Sequence, residues 1–489
     1  MFKLFMPRAA GAFFSSGRSR RMGLSLAAAV TLTLLACEGG SGGGGAMPFA
    51  PASGNASAPS ESAPSEPPPG DTPTYKVTGS LSGLATGESV TLLANGQPVV
   101  MSQNGTFQVA SGLAAGATYA VTVGTRPRTQ ACVVTDGTGV IGASNVSNVS
   151  VACAIRPQFA YVANKSDNNI SAYRIDVATG ALTAIPGSPF ATGTSPASVA
   201  VNAAGTFAYV ANWHSSSVSG YRIDADTGAL TAIPGSPFAA GIAPYSVTVN
   251  PAGTFAYVVH RNGLISAYRI DATTGALTAV TGSPFATGAV PVSVTVNPAG
   301  TFAYVANSGS NNVSAYRIDA ATGALTAITG SPFLAGNQPH SITVNPAGTF
   351  AYVANWSNAI SVYRIDADTG ALTAIADSPF FTIGLPNSIA VNPAGTFAYL
   401  ANQFGYILAY RIDAATGALA AITGSPLLAG NQPNAITVNP TGNFAYATDQ
   451  ADNTVLAYRI DAATGALTPL TGSPFSTGRE PLSITVAQP

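Results

Sequence analysis

A stretch of about 47 residues occurs seven times in this chain, and no other feature limits so strongly what the chain can fold into. The first copy opens with Phe159-Ala160-Tyr161-Val162-Ala163-Asn164 and continues through Tyr173-Arg174-Ile175-Asp176 and Ala181-Leu182-Thr183. It then runs Gly187-Ser188-Pro189-Phe190 and ends at Ser198-Val199-Ala200-Val201-Asn202. The opening phenylalanine returns at Phe207, Phe255, Phe302, Phe350, Phe397 and Phe444, at intervals of 47 or 48 residues. Self-similarity at this period signals stacked or radial units, and four strand-like runs per copy suit one blade of a β-propeller. Seven copies predict seven blades.

Inside a copy the hydrophobic period is two. Tyr173 and Ile175 share one face of a strand, and Arg174 and Asp176 share the other. Proline and glycine turns such as Asn250-Pro251-Ala252-Gly253-Thr254 separate the runs. No segment sustains a helical period, so the repeat region is expected to be all-β. Arg174, Arg222, Arg269, Arg317, Arg364, Arg411 and Arg459 fill one slot in every copy, and Asp176 to Asp461 fill another. A residue present seven times serves the frame, and the expectation is Arg–carboxylate pairs that tie strands or blades together.

The copies differ in two places, the loop after the Phe-Ala-Tyr-Val-Ala-Asn run and the stretch following the proline before Ser-Val-x-Val-Asn. Variation there and uniformity in the other turns predict one working face. That face would carry Trp213, His214, Tyr245, His260, Arg261, His340, Trp356, Asn387, Gln403, Asn434 and Asp449 as binding candidates. They include all three histidines and both tryptophans of the chain.

The other segments read as an address, a tether and a small domain. Residues 1–36 have a basic start and an apolar core ending Leu34-Leu35-Ala36-Cys37, which resembles a bacterial lipobox; Cys37 would carry the lipid. Glu38 in the following position favours outer-membrane sorting, whereas Arg20-Arg21 is a loose twin-arginine match. Residues 37–73 are rich in Gly, Ser and Pro and read as a disordered linker. Residues 74–155 alternate short β-rich runs with Asn95-Gly96 and Asn104-Gly105 turns, which suggests an immunoglobulin-like or transthyretin-like sandwich. Cys132 and Cys153 lie within it, and a disulfide between them fits an exported protein; a metal or redox pair would need further ligands nearby. Residues 156–489 would form the propeller.

The residues Tyr161-Val162-Ala163-Asn164, Tyr173-Arg174-Ile175-Asp176 and Thr179-Gly180-Ala181-Leu182 resemble the YVTN-type, seven-bladed propellers of the lactonase family. The resemblance covers residues 157–489. It implies that Ser-Val-x-Val-Asn is the innermost strand, A, and that the chain enters at strand B and leaves on a strand A that closes the first blade. It also implies a catalytic set of His, Arg and Glu at the channel mouth, for which His260, Arg261, His340 and Glu480 are candidates.

Net charge is −1 and charged residues make up only 8% of the chain, which excludes an electrostatic nucleic-acid binder. The three histidines lack ligand spacing, so no metal or other cofactor is expected. The first expectation is therefore a lipid-anchored envelope protein whose propeller serves as a binding module for a protein, glycan or small molecule, with catalysis left open. The alternative is a 6-phosphogluconolactonase-like hydrolase that opens a sugar lactone.

Overall fold

The computed structural model describes residues 73–127 and 130–489. The expected signal peptide, the expected lipid-bearing Cys37 and all but the last residue of the expected linker lie outside them. Every regular element among the described residues is a strand.

The first described domain has two four-stranded sheets. One orders Gly105–Ala114, Thr74–Ser82, Val146–Ile155 and Gln130–Thr135; the other orders Gln97–Met101, Val90–Ala94, Thr118–Thr125 and Thr138–Val140. Val77, Phe107 and Val151 of the first sheet share one buried cluster with Leu92, Tyr119 and Val121 of the second. Cys132 and Cys153 sit opposite each other on neighbouring antiparallel strands and form a disulfide.

Seven further sheets follow, each a blade of four strands with a short fifth strand pairing strand C. In the second blade these are Pro196–Val201 (A), Phe207–Asn212 (B), Ser217–Ile223 (C) and Leu230–Ala232 (D), with Phe238–Ala239 beside C. Strand B is buried at every position in all seven blades. Neighbouring blades cover both of its faces, so its sequence is a continuous apolar run. Strand C alternates only at its end, where the arginine reaches solvent.

That arginine corrects one expectation. Arg222 lies over the Phe207 ring at 5.0 Å and donates to the Thr273 carbonyl of the next blade. Arg459 does the same with Phe444, at 5.0 Å, and with the Ala178 carbonyl, at 3.0 Å. The aspartates are not its partners. Asp176 Oδ1 accepts hydrogen bonds from the Thr179 amide and hydroxyl and from the Ala178 amide, and so caps its own turn. These bonds hold its carboxyl below the ordinary range. The capped turn carries Gly180, at φ 80°, and a Cβ there would lie 2.5 Å from the Phe444 ring. The Tyr446 hydroxyl donates to the Gly180 carbonyl at 2.8 Å. Blades are thus latched by ring, glycine and carbonyl; among the described residues the repeated arginines and aspartates form no ion pair with each other.

The first blade takes strand A from Pro481–Ala487, which pairs antiparallel with Gln158–Asn164. The sequence-based assignment of entry at strand B and exit on strand A matches this pairing. Ending the chain after Gly478 would leave Gln158–Asn164 as an unpaired edge. We expect such a truncation to cost more than about 4 kcal/mol of stability. A urea titration followed by far-UV circular dichroism checks this; an unchanged midpoint would contradict it.

Candidate functional site

The pseudo-sevenfold arrangement puts one residue per blade at each level of the axial channel. The residue following strand B forms the outermost ring: Lys165, Trp213, Arg261, Ser308, Trp356, Gln403 and Gln450. These seven line one mouth cavity of about 340 Å³. The second residue of strand A forms the next ring, and Tyr245, Val292, His340, Asn387, Asn434 and Leu482 of that ring reach the mouth. Gln338 and Gln432, each just before the strand A proline, complete it. Deeper still, the channel narrows to about 110 Å³ among Ser198, Ser246, Ser293, Ser341, Ser388 and Ser483. Each of these hydroxyls accepts an amide hydrogen bond from the next blade, as Ser341 does from Ile389 at 3.3 Å.

His340 is the best-defined group at the mouth. Its ring stacks on Trp356, with centroids 4.6 Å apart and planes 11° from parallel. Its Nδ1 lies 3.2 Å from the Asn387 carbonyl oxygen. A carbonyl only accepts, so Nδ1 carries the hydrogen and the neutral ring keeps its lone pair on Nε2. Trp356 is fixed by the same neighbour, because its Nε1 donates to Asn387 Oδ1 at 2.8 Å. Asn387 Nδ2 in turn donates to the Pro433 carbonyl at 3.1 Å. Burial, and secondarily the Arg261 guanidinium, push the His340 pKa down to about 4. The imidazole is therefore neutral at pH 7.

Arg261 stands in an aromatic bracket. Its guanidinium carbon lies 5.3 Å from the Trp213 ring and 5.1 Å from the Tyr245 ring. Those two rings meet edge to face at 5.7 Å. Planar aromatic faces hold a guanidinium without neutralising it, so the charge remains available to a ligand.

Other candidates lie elsewhere. His260 is fully buried as the last residue of its strand B, and its Nε2 lies 2.8 Å from Ser266 Oγ. It occupies the slot that Asn212 fills in the preceding blade, where Nδ2 donates to Ser219 Oγ at 2.9 Å. His260 belongs to the frame and is no rim residue. Asp449 is also fully buried; it accepts from the Asn431, Gln432, Ala451 and Asp452 amides and so shapes a turn. Glu480 does not face His340. Its carboxylate pairs with Lys165 Nζ at 3.1 Å and accepts from Ser166 Oγ at 2.6 Å. Of the four residues the family resemblance suggested as a catalytic set, Glu480 is thus engaged with Lys165 and Ser166 and makes no bond to His340. His214 is exposed, stacked beside Trp213, with Nδ1 2.7 Å from Ser195 Oγ. Among the described residues, no three His, Cys, Asp or Glu side chains converge on a metal position.

Lys165, Ser308, Gln338, Gln432 and Gln450 line the mouth without having been singled out as sequence candidates. The signal was available. Lys165, Ser308 and Gln450 fill the slot of Trp213 and Arg261, and Gln338 and Gln432 precede equivalent prolines.

The family model described as "Lactonase, 7-bladed beta-propeller" matches residues 129–243, 232–334, 288–384, 330–426 and 386–484. No curated protein matches the chain. Among solved structures, a candidate 6-phosphogluconolactonase from Bacteroides fragilis is similar, with a TM-score of 0.59 and 20% identity over 68% of this chain and 98% of that one. A second, from Bacteroides uniformis, has a TM-score of 0.59 and 18% identity over 68% of this chain and 100% of that one. The periplasmic gluconolactonase of Pseudomonas aeruginosa has a TM-score of 0.57 and 18% identity over 68% and 100%. At these identities the likeness extends to the fold.

Proposed function

Since this chain belongs to the seven-bladed β-propeller lactonase family, we propose that it hydrolyses a sugar lactone at the channel mouth. The observation that carries the reading is the tautomer of His340: a neutral imidazole, pinned through Nδ1 to the Asn387 carbonyl, in the same cavity as Arg261. Family membership and the gluconolactonase-type neighbours support the hydrolase reading. They lend nothing to a lipid-anchored binding module.

In the proposed reaction, His340 Nε2 takes a proton from a water molecule as its oxygen attacks the lactone carbonyl carbon. Negative charge gathers on the carbonyl oxygen, where the Arg261 guanidinium stabilises it. The ring C–O bond then breaks. The departing oxygen receives the proton from the imidazolium, and the product is the open hydroxy acid. Water supplies all the atoms gained, so no cofactor is needed. Trp356 and the amides of Gln403, Asn434 and Gln450 suit a sugar, which offers an apolar face and a rim of hydroxyls.

The test is the loss of glucono-lactone in a buffer-corrected titration assay. Arg261→Ala is expected to lower kcat by about 10²-fold, as removal of an oxyanion donor does elsewhere. A purified, folded protein with no rate above the buffer reaction would overturn the proposal.

A further inference from the structure

The mouth is polarised. Of the residues that line it, only Lys165 and Arg261 are cationic. The charge of Lys165 is already paired. Its Nζ pairs with Glu480 Oε2 at 3.1 Å, and its amide donates to the Glu480 carbonyl at 3.0 Å. The Glu480 carboxylate is held in place by Ser166 Oγ at 2.6 Å, and its backbone amide donates to Asn453 Oδ1 at 2.9 Å. Arg479, beside it, is turned to Asp167 at 2.6 Å. The equivalent loop of the adjoining blade contributes the exposed Asp452, which accepts from Asn431 Nδ2 at 2.6 Å. Among the described residues, every cation on this side therefore has a carboxylate partner, and Arg261 is the one mouth cation without one.

A phosphate monoester carries close to two negative charges at pH 7, and its recognition calls for several cationic or amide donors. Arg261 is already assigned to the lactone oxygen. We propose that Glu480 is a specificity-determining residue that makes the mouth select an uncharged sugar lactone over a phosphorylated one. The inference rests on the hydrolase reading for its reaction, and on the pairing of Lys165 for its selectivity. Glu480 acts by cancelling the cation that would otherwise greet a phosphate, so an incoming anion finds no net charge to draw it to that side. Withholding a contact from one substrate discriminates as well as adding one for the other. The uncharged remainder of the lining, Trp356 and an arc of Gln403, Asn434 and Gln450, suits hydroxyl groups.

The experiment compares the wild type with Glu480→Gln, which preserves the acceptor for Ser166 and removes the charge. Initial rates are measured with glucono-lactone and with its 6-phosphate. The wild type is expected to favour the unphosphorylated lactone by at least about tenfold in kcat/KM. Glu480→Gln is expected to narrow that ratio about three- to tenfold by raising kcat/KM for the phosphate ester, with the unphosphorylated lactone unaffected. Equal or better use of the phosphate ester by the wild type, or a ratio that Glu480→Gln leaves unmoved, overturns the inference. A second measurement is independent of turnover. Trp213 and Trp356 are the only tryptophans of the chain and both line the mouth, so intrinsic fluorescence reports on this site. Titration with glucose and with glucose 6-phosphate should show weaker binding of the phosphate, relieved in Glu480→Gln. If neither lactone is turned over, the hydrolase reading falls, and this titration still decides selectivity. Tighter binding of the phosphate, or no response to either sugar, overturns the selectivity as well.

Discussion

His340→Gln is expected to lower kcat for lactone hydrolysis by about 10²–10⁴-fold, with little change in the thermal midpoint. Glutamine approximates the size of imidazole and can still donate to the Asn387 carbonyl, but it cannot accept a proton from water. The pH profile gives the same group a second signature. Burial holds the His340 pKa at about 4, so the free-base fraction is complete at neutral pH and falls only below about pH 5. The wild-type rate should therefore be flat through neutrality and decline on the acid side with an apparent pKa near 4. In His340→Gln that acid limb should disappear from the residual rate. A wild-type profile that falls away near 6.5, the ordinary histidine value, would assign the limb to another group.

A large effect on stability is expected from His260→Asn. The buried His260 imidazole has its pKa pushed from 6.5 down to about 4 by desolvation. The sign follows from proton uptake. Between these values the unfolded chain binds a proton that the folded chain does not, so stability is complete above about pH 6.5 and falls as pH drops toward 4. Over that window the loss is about 3 kcal/mol, on the order of 1.4 kcal/mol per pH unit. Asparagine does not titrate, and the other blades show that it fits this slot. Asn164, Asn307 and Asn355 each donate to the serine of strand C that corresponds to Ser266. At pH 7 the variant should melt within a few degrees of the wild type. At pH 4.5 it should be the more stable protein by about 2–3 kcal/mol. Urea titrations at the two pH values measure this, and parallel acid losses in both proteins would sink the explanation.

The blade architecture was legible because seven copies repeat one unambiguous pattern. A strand B that is apolar at consecutive positions has few homes other than a sheet covered on both faces. The rim was legible in part for the same reason: a slot that changes identity between copies is released from the frame. Trp213, Tyr245, Arg261, His340, Trp356, Asn387, Gln403 and Asn434 all border the mouth. His260 misled because the last buried position of strand B and the first rim position are consecutive residues. A histidine at the end of a hydrophobic run looks like the start of the loop. Only the equivalence with Asn212 and its serine partner places it inside. The arginines misled for a different reason. Arg174 and Asp176 are two apart on one strand face in the sequence pattern, but the strand ends at Ile175. Asp176 thus turns into the loop, where nearby amides saturate it, and the arginine finds the next blade's carbonyl instead.

The borrowed strand of the first blade also sets a timetable. Gln158–Asn164 must wait for Pro481–Ala487, more than 300 residues later, before its inner edge is paired. Until then six blades can form as an open arc, with an apolar flank at each end. A ribosome working from the first blade to the last would hold that arc open for tens of seconds at ordinary elongation rates. Closure is a single late event with a long loop to close, so slow refolding with few partly closed survivors is the behaviour this topology dictates.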